Sequence, residues 1–136
     1  MTRKIKYIVV HCTASPQSTT VEAIKNHWKN IGWKNVGYHK IVKPNGEVVT
    51  LAPDGVITNG VKGHNFESVH VSYIGGIDSR LQPIDNRTQG QKDALSQVLH
   101  EWRKLYPTAI IQGHRDFPEA KKACPSFDAK KEYANI

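Results

Sequence analysis

Three residues of this 136-residue chain could do metal chemistry together: His11, His114 and, ten residues further on, Cys124. Two imidazoles and a thiolate are donor types that suit Zn²⁺, and three protein ligands rather than four would leave the fourth tetrahedral position to water. A water held in that way has a pKa of about 7 instead of 15.7, which is what a hydrolase needs. The spacing alone matches no tight local zinc motif, since nine residues separate His114 from Cys124. A plainer reading stands beside it, with His11 as a polar strand-end residue capped by backbone and Cys124 as a small buried hydrophobe.

For these three to meet, the elements that carry them must end at one place. Lys4 to Cys12 is β-branched and aromatic enough to be a buried strand, closed by the polar cluster His11-Cys12-Thr13-Ala14-Ser15-Pro16. Thr19-x-x-Glu22 reads as a capping box, and Ile24, Trp28 and Ile31 then recur at helical spacing until Gly32. Tyr38 to Val42 and Glu47 to Leu51 are two strands of a hairpin around Lys43-Pro44-Asn45-Gly46. Residues 52–67 form a long surface loop, a common place for function, and Val69 to Ile74 is a strand closed by Gly75-Gly76. A second capping box, Thr88-x-x-Gln91, opens the main core helix with the stripe Ala94, Leu95, Val98, Leu99, Trp102 and Leu105. Ile110 and Ile111 begin a short strand that runs into Gln112-Gly113-His114-Arg115-Asp116, and a short terminal helix after Pro125-Ser126 ends near Tyr133. The expectation is a single α/β domain over residues 1–136, with a central mixed β-sheet flanked by helices.

Composition narrows the function classes. Two cysteines, Cys12 and Cys124, cannot build a disulfide framework, and alternation along the first strand turns Cys12 away from His11, into core packing. The run Tyr7-Ile8-Val9-Val10 is far short of the roughly 20 residues a membrane span needs. Met1-Thr2-Arg3-Lys4 is basic, but no apolar block follows it, so no standard secretion signal is expected and synthesis is placed in the cytoplasm. The 19 Lys and Arg against 12 Asp and Glu give +7, yet basic pairs such as Lys121-Lys122 are short and lack interleaved aromatics. Nucleic acid is therefore not the expected partner.

Six blocks in order carry a resemblance across residues 10–128: Val10-His11-Cys12-Thr13-Ala14, Gly32-Trp33-Lys34-Asn35-Val36-Gly37-Tyr38-His39, Lys62-Gly63-His64-Asn65, Ile74-Gly75-Gly76-Ile77-Asp78, Gly113-His114-Arg115-Asp116 and Ala123-Cys124-Pro125-Ser126-Phe127-Asp128. Together they resemble the zinc-dependent N-acetylmuramoyl-L-alanine amidases, which include bacteriophage amidase lysozymes and the animal peptidoglycan recognition proteins. The resemblance implies that family's fold and cleavage of the amide between the lactyl group of N-acetylmuramic acid and L-alanine of the stem peptide. It also implies one Zn²⁺ per chain on His11, His114 and Cys124, with Tyr38 and Lys122 as catalytic residues. Lys121 competes for the lysine role because the stretch before Cys124 is about two residues longer than in the phage lysozyme it resembles.

Around that centre, Trp33, His64 and Asn65 are the residues expected to meet substrate. Many relatives carry a His in the loop where this chain reads Asn59-Gly60-Val61-Lys62, so that contact is missing here or supplied by His64. His39 and His70 are expected on sheet faces, His39 in a supporting role, and His27 and His100 on solvated helix faces. The expected partner is peptidoglycan, met by a monomer that reaches the wall after release through a holin, a secretion system or lysis. The positive charge suits attraction to an anionic wall or membrane surface. Relatives that only bind peptidoglycan commonly lack the Cys ligand, so the presence of Cys124 favours catalysis over a non-catalytic binding module.

Overall fold

The β-branched run that ends at His11 and Cys12 becomes the spine of the sheet. In the computed structural model, which describes residues 3–136, strand β1 (Tyr7–Cys12) is flanked by β4 (Ser68–Tyr73) and β5 (Ile110–Gly113), both parallel to it. Beyond β4 come β2 (Lys40–Val42), parallel to β4, and β3 (Val48–Thr50), antiparallel to β2, giving the order β3-β2-β4-β1-β5. The expected mixed sheet is present, with the hairpin at its edge. Met1 and Thr2 of the expected domain lie outside the described residues.

Side chains alternate across a strand, and that alternation divides the core. Ile8, Val10 and Cys12 of β1, with Val69, Val71 and Tyr73 of β4, are buried with Leu95, Leu99 and Trp102 of α2 (Gln89–Leu105) and Ala129 of α3 (Ala129–Glu132). On the other face, Ile41 and Ile74 pack with Ile24 and Trp28 of α1 (Val21–Asn30), while Val9 packs with Val61 and Phe117. Helices on both faces are what a parallel sheet requires, since neither face can be left to water. His11 follows Val9 to the α1 side, and Cys12 turns into the main core as its alternation implied.

The start of α2 is as its sequence indicated. The Thr88 hydroxyl accepts from the Gln91 N–H and the Gln91 side chain accepts from the Thr88 N–H, each at 3.0 Å. The same fully buried Gln91 amide donates to the carbonyls of Val42 and Ile74 at 3.2 and 3.0 Å, tying the helix start to the neighbouring ends of β2 and β4. Helix α1 departs from expectation by one residue. A turn from the Thr19 N–H to the Pro16 carbonyl occupies Thr19, so Thr20 is the N-cap and its hydroxyl accepts from Ala23 at 3.1 Å. Ile31 and Leu105 also depart from the expected stripes: Ile31 caps α1 and is 51% exposed, and Leu105 ends α2 and is 64% exposed. Each extends the apolar period to a helix end that nothing apolar covers. Strand β2 begins at Lys40 rather than Tyr38, which leaves Tyr38 free of the ladder.

Arg87 locks the two helices of the main core together. Its guanidinium donates to Asp85 at 2.8 and 2.9 Å, to Glu132 at 2.7 and 2.8 Å and to the Tyr133 hydroxyl at 3.0 Å, and lies 3.4 Å from the Phe127 ring centre. Hydrogen bonds from Arg87 hold Asp85 and Glu132 below their ordinary pKa values of 3.8 and 4.5.

Two outcomes follow from this packing. Leu99 is wholly buried, and Leu99→Ala is expected to cost about 2–5 kcal/mol, read as a lower urea midpoint at unchanged slope. Because Asp85 and Glu132 have depressed folded values, their contribution is complete above the unfolded values and is lost as pH falls through the folded ones. Urea unfolding from about pH 6 down to about pH 2 should show that loss, and Arg87→Met should flatten it.

Candidate metal centre

Parallel pairing decides where the strand ends fall. Val10 lies opposite Gly113, so the residues that follow them, His11 and His114, leave adjacent strands side by side at the carboxyl edge of the sheet. Ligands of open α/β sheets bind at that edge. The two rings are 5.0 Å apart, edge to face. Cys124 arrives on a loop held by hydrogen bonds to the sheet edge. The Arg115 N–H donates to the Cys124 carbonyl at 2.8 Å, the Cys12 N–H donates to Cys124 Sγ at 3.2 Å, and the buried Tyr73 hydroxyl donates to the Pro125 carbonyl at 2.7 Å. Gly113 permits this approach, because a Cβ there would lie 2.6 Å from Cδ of Pro125.

One donor atom each from His11, His114 and Cys124 lies within 4.8 Å of the others. Nδ1 of His11 and Sγ of Cys124 are 3.7 Å apart. Ligand bonds of about 2.0–2.1 Å to nitrogen and about 2.3 Å to sulfur, at a tetrahedral angle, place such a pair roughly 3.6 Å apart. The set therefore fits a small tetrahedral dication. Burial, with His70 and His114 nearby, holds His11 well below its ordinary pKa, and burial with the charge of Lys122 brings His114 down to about 4. Both rings are neutral at pH 7, the form that coordinates a metal. Burial, aided by Cys12, pushes the Cys124 thiol up. A bound dication would invert that logic by displacing the proton and holding the thiolate.

A cavity of about 190 Å³ opens onto these three residues, with Tyr38, Trp33 and Lys122 in its walls. Tyr38 packs 4.9 Å from the His11 ring and 5.4 Å from Trp28, and its hydroxyl donates to the Cys12 carbonyl at 3.3 Å. Burial pushes its pKa up, so it is a neutral donor. Trp33 stacks on Trp28 at 6.3 Å and keeps 39% of its surface exposed. Lys122 borders both this cavity and an adjoining one of about 560 Å³, whereas Lys121 borders only the second.

His64 and Asn65 fall outside both walls. The His64 ring nitrogens face Glu67 at 3.2 Å and Glu119 at 3.3 Å, and its ring rests 4.6 Å from Phe117. Asn65 turns inward, its Oδ1 accepting from the Val61 N–H at 2.7 Å and facing Nε2 of His70 at 3.0 Å. His64 does not supply the imidazole expected near the 59–62 loop. The imidazole beside His11 is instead that of the fully buried His70, with Nδ1 2.8 Å from Nε2 of His11, and it lines neither cavity. Sequence reasoning placed His70 only on a sheet face, because the Val9–His70 pairing that brings it to His11 is a register between distant strands. His39 supports His70 in turn: its Nδ1 accepts from the His70 N–H at 3.0 Å and the rings stack at 5.9 Å.

Residues 1–127 match the sequence profile described as N-acetylmuramoyl-L-alanine amidase. The chain belongs to this amidase family. The endolysin of Enterobacteria phage K11 is 42% identical to this amidase over 124 residues, covering 90% of this chain and 81% of its own. Among solved structures, the Ph2119 endolysin from Thermus scotoductus MAT2119 bacteriophage Ph2119 aligns at a TM-score of 0.78 and 29% identity, over 92% of this chain and 79% of that one. Drosophila PGRP-LB, at 18% identity and a TM-score of 0.77 over 99% and 82%, shares the fold.

The close passage of Gly113 beneath Pro125 can be tested without touching a donor atom. Gly113→Ala is expected to destabilise the amidase by about 1–3 kcal/mol through overpacking, measured by urea denaturation, and to weaken divalent-metal binding as the Cys124 loop is pushed away.

Proposed function

We propose that this amidase is a zinc-dependent endolysin, a monomer of one domain that hydrolyses the amide between the lactyl group of N-acetylmuramic acid and L-alanine of peptidoglycan. The observation that carries the reading is the convergence of His11, His114 and Cys124 donor atoms within 4.8 Å, in one cleft with Tyr38 and Lys122. The complete donor set supports catalysis rather than binding alone. Among the described residues no helix is long and apolar enough to cross a membrane.

Zinc on these three residues would act as a Lewis acid toward the amide carbonyl and lower the pKa of a water beside it. The chain supplies the rest. Tyr38, held neutral by burial, donates to the carbonyl oxygen as negative charge gathers there. The ammonium of Lys122, whose charge already reaches His114 and Cys124, stabilises the same oxygen from the wall of the cleft. Each such donor is worth about 10²–10³ in rate. Lys122 is preferred to Lys121 because it borders the cleft that holds the donor set. Trp33 offers a flat apolar face to the sugar or the peptide, whereas His64 and Asn65, outside both cavity walls, are not assigned to substrate. The formal charge of +7 favours approach to an anionic wall and makes that approach weaken with salt.

The test combines zinc content with digestion of purified peptidoglycan. New L-alanine amino termini should appear without new reducing ends, and both a chelator and Cys124→Ser should abolish them. Tyr38→Phe and Lys122→Met should each lower kcat about 10²–10³-fold with zinc retained, and Lys121→Met should stay near the parent value. Absence of zinc, or cleavage that survives Cys124→Ser, refutes the reading.

A further inference from the structure

We propose that Asn65 and His70 are positioning residues that lock His11 in the Nε2–H tautomer and so aim its bare Nδ1 at the metal. The inference rests on the proposed metal centre, but its core is a statement about the metal-free protein. It follows from hydrogen-bond direction. The Val61 backbone N–H can only donate, so the Asn65 atom it meets at 2.7 Å is the amide oxygen. That oxygen cannot donate to His70, so the proton in their 3.0 Å contact belongs to Nε2 of His70. His39 and His70 are fully buried and His11 is 1% exposed, and a neutral imidazole carries one proton. Nδ1 of His70 is then an acceptor, and Nε2 of His11, 2.8 Å away, must be its donor. Nδ1 of His11 is left as a lone pair, and it is the atom that faces Cys124 Sγ at 3.7 Å.

The device is built largely from the 52–67 loop. Its direction is set by one backbone N–H in that loop, three hydrogen bonds from His11. The His70 ring is fixed between the His39 ring at 5.9 Å and the backbone of Gly60, where a Cβ would lie 2.3 Å from Nδ1 of His70. Asn65 and Gly60 therefore bear on the metal ligand without touching it, as outer partners of metal-bound histidines do.

Imidazole ¹⁵N NMR of the metal-free protein reads the tautomer directly, and chelator competition reads zinc affinity. The parent should show His11 protonated on Nε2 alone. Asn65→Leu, which removes the acceptor, and Gly60→Ala, which displaces the His70 ring but removes no polar group, should each give mixed His11 tautomers. Both should also weaken zinc binding about 10–100-fold. Asn65→Asp at about pH 8 keeps the acceptor and should restore the tautomer and the affinity, which a purely structural role would not explain. A proton on Nδ1 of His11 in the parent overturns the proposal, as does an Asn65→Leu protein that binds zinc within about twofold of the parent. If Asn65→Leu does not fold, the parent spectrum and Gly60→Ala decide it. A parent that binds no zinc yet shows the Nε2–H tautomer would sink the metal reading while leaving the hydrogen-bond relay in place.

Discussion

The site depends on the parallel register of β1 with its two neighbours. Val10 opposite Gly113 sets His11 beside His114, and Val9 opposite His70 sets the second imidazole behind the first. A slip of one residue would turn every side chain of β1 to the other face, carrying His11 into the apolar layer and Cys12 toward the cleft. The burial pattern forbids that slip, because Ile8, Val10 and Cys12 fill one face against α2 while Val9 is sealed on the other by Val61 and Phe117. The candidate metal centre is thus positioned by hydrophobic packing on the strands that carry it.

That arrangement buries His11, His39 and His70 in the middle of a small domain. An unpartnered polar group there costs about 1–3 kcal/mol, so each ring nitrogen has to find a partner. The partners form a chain: His11 to His70, His70 to Asn65, the His70 backbone to His39, and His39 Nε2 donating to the Val56 carbonyl at 2.7 Å. Two of these contacts end in the 52–67 loop. A segment with little periodicity in sequence is therefore structural on its inner side, where it satisfies buried imidazoles, and forms part of the cleft on its outer side through Asn59 and Gly60.

The third donor is held differently. Cys124 belongs to no strand, and its place comes from backbone groups of the two strands that carry the histidines: the Cys12 N–H and the Arg115 N–H just past β5. Arg87, through Glu132, fixes the short helix that follows this loop. The loop that carries Cys124 is in this way held to the sheet edge, and the helix that follows it to Arg87.

Much of this was legible in the chain. Capping residues and apolar period placed the two long helices, with errors of one residue where a turn had already used Thr19 and where Ile31 and Leu105 ran past their cover. Residue type and ordered blocks singled out His11, His114, Cys124, Tyr38 and Lys122, because donor chemistry belongs to the side chain itself and survives in a list of letters. The roles of His70, Asn65 and Gly60 did not, since each exists only through a contact between segments distant in sequence. His64 and Asn65 stand next to each other, yet the fold points one at surface carboxylates and the other at a buried ring. The sequence by itself determined which groups could bind a metal and which segments would be strands and helices. Only the tertiary structure decided which imidazole stands behind which, because register is a pairing of two strands and no single strand encodes it.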